Sequence, residues 1–126
     1  MDITPRIAAD RQIIESYGDG AFTVSGTRHQ GSVVVTPERT FAWPVADFEA
    51  ATPESLELLR GLAPGVELLL LGSGARQAFL PPARRQAFKD RLGLVVECMA
   101  SGPACRTYNV LLTEERRVAA ALIAVD

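Results

Sequence analysis

Val66-Glu67-Leu68-Leu69-Leu70-Leu71, running into Gly72-Ser73-Gly74, is the stretch on which the fold turns. An apolar run this short, with a single charge, preceded by the Ala63-Pro64-Gly65 break and closed by a glycine turn, reads as a strand covered on both faces. Downstream, Leu94–Met99 is a second such run, and Arg117–Val125 is a third, heavily apolar one. Helical patterns separate them. Pro81-Pro82 opens a helix whose apolar positions are Ala87, Phe88 and Leu92, with Arg84, Arg85, Lys89 and Arg91 mostly outward and Gly93 as its C-terminal cap. Gly102-Pro103 opens another helix, through about Thr113. Upstream, Thr52 and Pro53 suit a helix start and Leu56, Leu59 and Leu62 recur at helical spacing, giving about three helices in all. The expectation is a single α/β domain with a mixed sheet, in which 66–71, 94–99 and 118–123 are central strands.

The first third reads as β structure added to that sheet. Gln12–Tyr17 and Ala21–Val24 flank Gly18-Asp19-Gly20, a hairpin connection, and His29–Val35 supplies a third strand ended by Pro37. Thr40–Trp43 stops at Pro44, so it is a short or edge strand, with Trp43 covering the core.

Composition limits the function classes. The chain has 126 residues, 48% hydrophobic and 22% charged, which suits one folded domain over residues 1–126 with its core at about 12–124. A formal net charge of -2 gives no general pull toward nucleic acid or anionic lipid. No apolar run approaches the roughly 20 residues of a membrane span, and the start, Met1-Asp2-Ile3-Thr4-Pro5-Arg6, has no signal-peptide pattern, so the expected location is cytoplasmic. Two cysteines, Cys98 and Cys105, and one histidine, His29, match no zinc spacing, and neither a metal nor another cofactor is expected.

Gly31-Ser32-Val33-Val34-Val35, Leu71-Gly72-Ser73-Gly74 with Pro81, Ala104-Cys105-Arg106-Thr107-Tyr108-Asn109-Val110-Leu111-Leu112 and Arg117–Leu122 together resemble the Mth938-domain family, small proteins of largely unknown function. The resemblance runs from about Ile13 to about Ile123 and is strongest over the Ala-Cys-Arg-Thr-Tyr-Asn-x-Leu segment. It implies a three-layer α/β fold around a mixed sheet. It also implies a protein partner: relatives in mitochondria assist assembly of the respiratory NADH:ubiquinone oxidoreductase complex, and another animal relative is linked to adipocyte differentiation.

Four features could carry chemistry. Gly72-Ser73-Gly74 follows a strand as a dinucleotide loop would, but Gln77 stands where the third glycine belongs and the next helix begins too late. Cys105, placed on a first helical turn beside Arg106, has the surroundings of a reactive thiol, yet without a nearby base a structural thiol is the better reading. Arg106 and Asn109 share one helix side opposite Ala104, Tyr108, Leu111 and Leu112, and either bind a small anion or fix the Gly72–Gly74 turn by hydrogen bonds. The basic residues of 84–91 lack interleaved aromatics, a poor nucleic-acid signal. Two functions follow: a noncatalytic binding or complex-assembly protein, or an anionic-ligand protein or enzyme with a site at Gly72, Ser73, Gly74, Arg76, Cys105, Arg106 and Asn109.

Overall fold

The computed structural model describes residues 11–62 and 65–126, so the chain start and the Ala63-Pro64 break lie outside the described residues. Two sheets form. The first is an antiparallel meander of β1 (Ile14–Gly18), β2 (Ala21–Val24) and β3 (Thr27–Gln30). The second has five strands, β4 (Val33–Val35), β5 (Thr40–Ala42), β6 (Leu68–Gly72), β7 (Val95–Met99) and β8 (Val118–Leu122), in the order β5-β4-β8-β6-β7. It is mixed: β6 runs parallel to both β7 and β8, while β4 runs antiparallel to β5 and β8. The helices are α1 (Pro82–Leu92) and α2 (Ser101–Thr113), with 3-10 segments at Phe48–Ala50 and Glu54–Gly61.

The period of two in the strands sorts their side chains into two cores. Leu69, Leu71, Val96, Ala119 and Ala121 join Trp43, Leu56, Leu59 and Phe88 beneath α1 and the 3-10 segments. On the other face Leu70, Val118, Ala120, Leu122, Val33 and Val35 pack against Ala104, Cys105, Tyr108 and Leu112 of α2 and against Ile14, Phe22 and Val24 of the meander. The three layers of the expected fold are all present. The alanines of β8 are the smallest residues in its middle, and all five β8 residues are buried, so strand and helix approach closely there.

Several boundaries differ from the sequence reading. The 52–62 segment is a 3-10 turn pair, broken at Leu56 (φ -120°, ψ 21°), rather than an α-helix. Ser55 and Thr52 lock it locally through side-chain-to-backbone bonds, and the Ser55 carbonyl accepts from Trp43 Nε1 at 3.2 Å instead of continuing a ladder. His29–Val35 is two strands in different sheets, because Gly31 turns the chain with φ +87° and Ser32 Oγ accepts the Ala124 N–H at 2.9 Å. The strand of 66–71 begins at Leu68 and includes Gly72, and Arg117–Val125 is ordered as a strand only over 118–122.

Leu94–Met99 is not central. β7 is an edge strand, Leu94 precedes it, and Val95 is 50% exposed. With β6 already paired to β8 on its other side, β7 ends the sheet, and α1 shields only the face carrying Val96 and Cys98. In α1 only Phe88 is fully buried, and Ala87 is exposed. The arginines of α1 are more engaged than outward-facing residues would be: Arg84 donates to the Phe48 and Ala51 carbonyls at 3.0 and 2.9 Å, and Arg91 pairs with Glu57.

Candidate functional site

α2 begins at Ser101, one residue before the Gly102-Pro103 signal, and its two halves serve different parts of the molecule. Its first residue holds the turn after β6. Ser101 is wholly buried; its Oγ donates to the Ile123 carbonyl at 2.7 Å and accepts from Gly74 N–H at 2.9 Å, while its own N–H donates to the Gly74 carbonyl at 2.8 Å. Gly74 adopts φ +100°, where a side chain would be strained. Ser73 closes the rest: its N–H donates to Met99 O at 2.8 Å, and its Oγ lies 2.7 Å from Arg76 O and accepts Ala78 N–H at 3.0 Å. The N–H groups of Ser73 and Gly74 are thereby both paired. Gly102, also buried, has the Tyr17 ring end directly against it.

Two turns farther on, roughly 12 Å along the helix axis, Asn109 faces β1 rather than the glycine turn. Its Oδ1 accepts the Ile14 N–H at 3.0 Å and its Nδ2 donates to the Ile14 carbonyl at 2.7 Å. One carboxamide thus stands where the peptide unit of a neighbouring strand would, capping the outer edge of the meander at Ile14. Tyr108 ties down the chain two residues earlier, its hydroxyl donating to Gln12 O at 2.9 Å. Burial holds that hydroxyl well above the ordinary tyrosine range.

Arg106 and Asn109 line a cleft of about 240 Å³ with Ile14, Glu15, Ser16, Tyr17 and Cys105. Gly72, Ser73, Gly74 and Arg76 are not part of it. The structure therefore brings the glycine turn to the start of α2 and brings Arg106 and Asn109 to β1, so the candidate residues fall into two groups. Asn109 does not fix the glycine turn, as the sequence reading allowed; its hydrogen bonds join α2 to the meander instead. Ser101 and Tyr17 were missed from sequence. The serine opening the Gly-Pro helix start was the available signal for the first, and nothing local marked the second.

Cys105 is the fifth residue of α2, past its first turn, and only 4% exposed. Burial pushes its thiol up to about 12, against a smaller opposing pull from Arg106. Both cysteines are free. At neutral pH Cys105 is a protonated packing group beneath α2. Iodoacetamide at pH 8 is expected to modify the half-buried Cys98 well before Cys105, read by peptide mass mapping; prompt labelling of Cys105 in the folded protein would contradict that. Because the folded thiol ionises later than an unfolded one, stability falls as pH rises from about 9 toward 12.

Charged groups near the other end of α2 pair with one another. Arg117 hydrogen-bonds both oxygens of Glu38, at 2.9 and 3.0 Å, and Arg11 also pairs with Glu38, which holds that carboxyl below its usual range. Among the described residues no group of three or more His, Cys, Asp or Glu is arranged to hold a metal ion, and no helix is long and apolar enough to cross a membrane.

A two-sheet α/β domain with one helix clasping an N-terminal meander is the Mth938-like architecture. The Mth938-like domain protein of Bordetella pertussis superimposes with a TM-score of 0.78 at 29% identity, over 98% of this chain and 92% of that one. Residues 14–123 match the family of proteins of unknown function DUF498/DUF598, and the chain belongs to it. An uncharacterized protein of Rhodobacter capsulatus is 42% identical over 110 residues, 87% of this chain and 82% of its own. NADH dehydrogenase (ubiquinone) 1 alpha subcomplex assembly factor 3 of Xenopus tropicalis is 34% identical over 118 residues, 94% of this chain but 64% of its own length.

Proposed function

We infer that this protein is a noncatalytic assembly-assisting protein that acts by contact with subunits of a respiratory NADH dehydrogenase. The observation that carries the reading is similarity over nearly all of this chain to relatives named as assembly factors of that enzyme, from Xenopus tropicalis to Homo sapiens. The candidate site supports it from the physical side. Gly72, Ser73, Gly74, Cys105 and Asn109 are engaged in holding turn, core and meander, which leaves the function to the outer surface. Arg106 stands at the open cleft wall and is available to such contacts.

The test is removal of the protein from cells that make it. Assembled NADH dehydrogenase, resolved on native gels, is expected to fall several-fold while its subunits are still synthesised. Unchanged amounts of the assembled enzyme would overturn the reading.

A further inference from the structure

Among the described residues, the free edge of β7 is the least guarded. β1 is capped at Ile14 by Asn109, β5 has three residues, and β3 presents the wholly polar sequence Thr-Arg-His-Gln. β7 has five residues, and pairing with β6 uses only the groups on one side of it. The Val96 carbonyl accepts from Arg85 Nη1, so it points away from β6, and the period of two turns the N–H and C=O of Cys98 outward with it. The arginine on Val96 is the single guard that the described residues place on this edge.

Apolar and charged groups flank it. Val95 is 50% exposed, and Phe79, 78% exposed, follows Ala78, whose carbonyl meets Cys98 Sγ at 3.4 Å. Arg85, Gln86, Lys89, Leu94, Val95 and Val96 line a groove of about 250 Å³ between α1 and the strand. Arg91 is neutralised by Glu57 and Glu54, but among the described residues Arg85 and Lys89 meet no carboxylate. Their i, i+4 spacing sets them about 5–6 Å apart on one helix face. Alternate residues of an added strand lie about 6.6–6.8 Å apart. The two spacings differ by about 1 Å, a gap that the long Arg and Lys side chains can span.

We propose that the β7 edge accepts an extended segment of a partner protein as a sixth strand, one carrying acidic residues at alternate positions that face Arg85 and Lys89 and apolar residues between them. The incoming carboxylate draws Arg85 off the Val96 carbonyl and exposes the acceptor that the new strand needs. A second copy of this chain fits the edge poorly, since two-fold pairing would set each basic rim against its twin. The proposal deepens the assembly reading by naming its surface and the chemistry of its partner. Its test uses purified protein, so either can fail without the other.

The probes are capped synthetic peptides: Thr-Val-Glu-Val-Glu-Val-Thr, the same peptide with Lys for Glu, and a rearrangement placing the two Glu on opposite faces. Amide exchange and NMR shifts are read along β7. The alternating acidic peptide is expected to protect the Val96 and Cys98 amides, with those of Val95, Glu97 and Met99 unchanged, and to bind at least tenfold more tightly than either control. Lys89→Glu, at an exposed residue, is expected to weaken it several-fold, and Arg85→Glu with Lys89→Glu to transfer the preference to the Lys peptide. Absence of protection at Val96 and Cys98, equal binding of the three peptides, or an unaltered preference in the double variant would overturn the proposal. So would protection of the same amides by self-association without peptide.

Discussion

Asn109→Leu is expected to lower the stability of the protein by about 2–3 kcal/mol, since it removes two hydrogen bonds and leaves the Ile14 N–H and C=O unpaired beneath a side chain that cannot serve either. The damage should be local as well as global. Ile14 amide exchange should rise further than that of β6 or β8, because the carboxamide is the join between α2 and the meander. Asn109→Asp refines the expectation: an ionised carboxylate still accepts from Ile14 N–H but opposes the Ile14 carbonyl oxygen. A protonated one can donate to it, so the deficit of this variant should narrow as pH falls below the ordinary aspartate range. Denaturant unfolding of the three proteins at two pH values checks this, and equal stability of wild type and Asn109→Leu would remove the clamp from the account.

Gly72→Ala is expected to cost about 2–3 kcal/mol through overpacking. A Cβ at Gly72 would lie 2.9 Å from Leu122 Cδ2, 2.9 Å from Ser101 Oγ and 3.0 Å from Ser101 Cα, and the last of these belongs to a residue held to Gly74 by one backbone and one side-chain hydrogen bond. Gly102→Ala is the informative contrast. The atoms nearest its methyl would be the ring end of Tyr17, a side chain 44% exposed that can swing outward, so the loss should be well under that at Gly72. Thermal unfolding of both variants decides between them; a Gly72→Ala protein no weaker than Gly102→Ala would show that the helix start yields more readily than the packing implies.

The β-α alternation from residue 66 onward was legible because each element there is bounded by its own breakers: glycines after Leu71 and Leu92, prolines at 81, 82 and 103. Pairing order was not. Whether Leu94–Met99 lies inside or at the edge of the sheet depends on which strand takes the second side of β6, and that place goes to β8, about fifty residues away. The 52–62 segment misled for a different reason. Leucine spacing reports which side is buried, and a 3-10 turn buries Leu56 and Leu59 as an α-helix would, while the Trp43 contact that stops the α ladder is remote in sequence.

The candidate site divides along the same line. The glycine turn and the start of α2 converge because β6 and β7 are neighbours, a relation the strand–helix order suggested. Asn109 pairs with a residue 95 positions away, in a meander whose place against α2 no local pattern records. Its chemistry was readable and its partner was not. Cys105 shows the complement: the sequence put it on a first helical turn beside Arg106, which favours the thiolate, but it sits past that turn and burial outweighs the pull of Arg106 once the core closes over it.

The central claim, assembly of a respiratory NADH dehydrogenase, is tested most directly by following newly made subunits of that enzyme into native complexes in cells with and without this protein. The account predicts that, without it, labelled subunits stall in a partial complex and reach the complete enzyme several-fold more slowly, and that restoring the protein releases them. Equal rates of entry into the complete enzyme in both cells would contradict it.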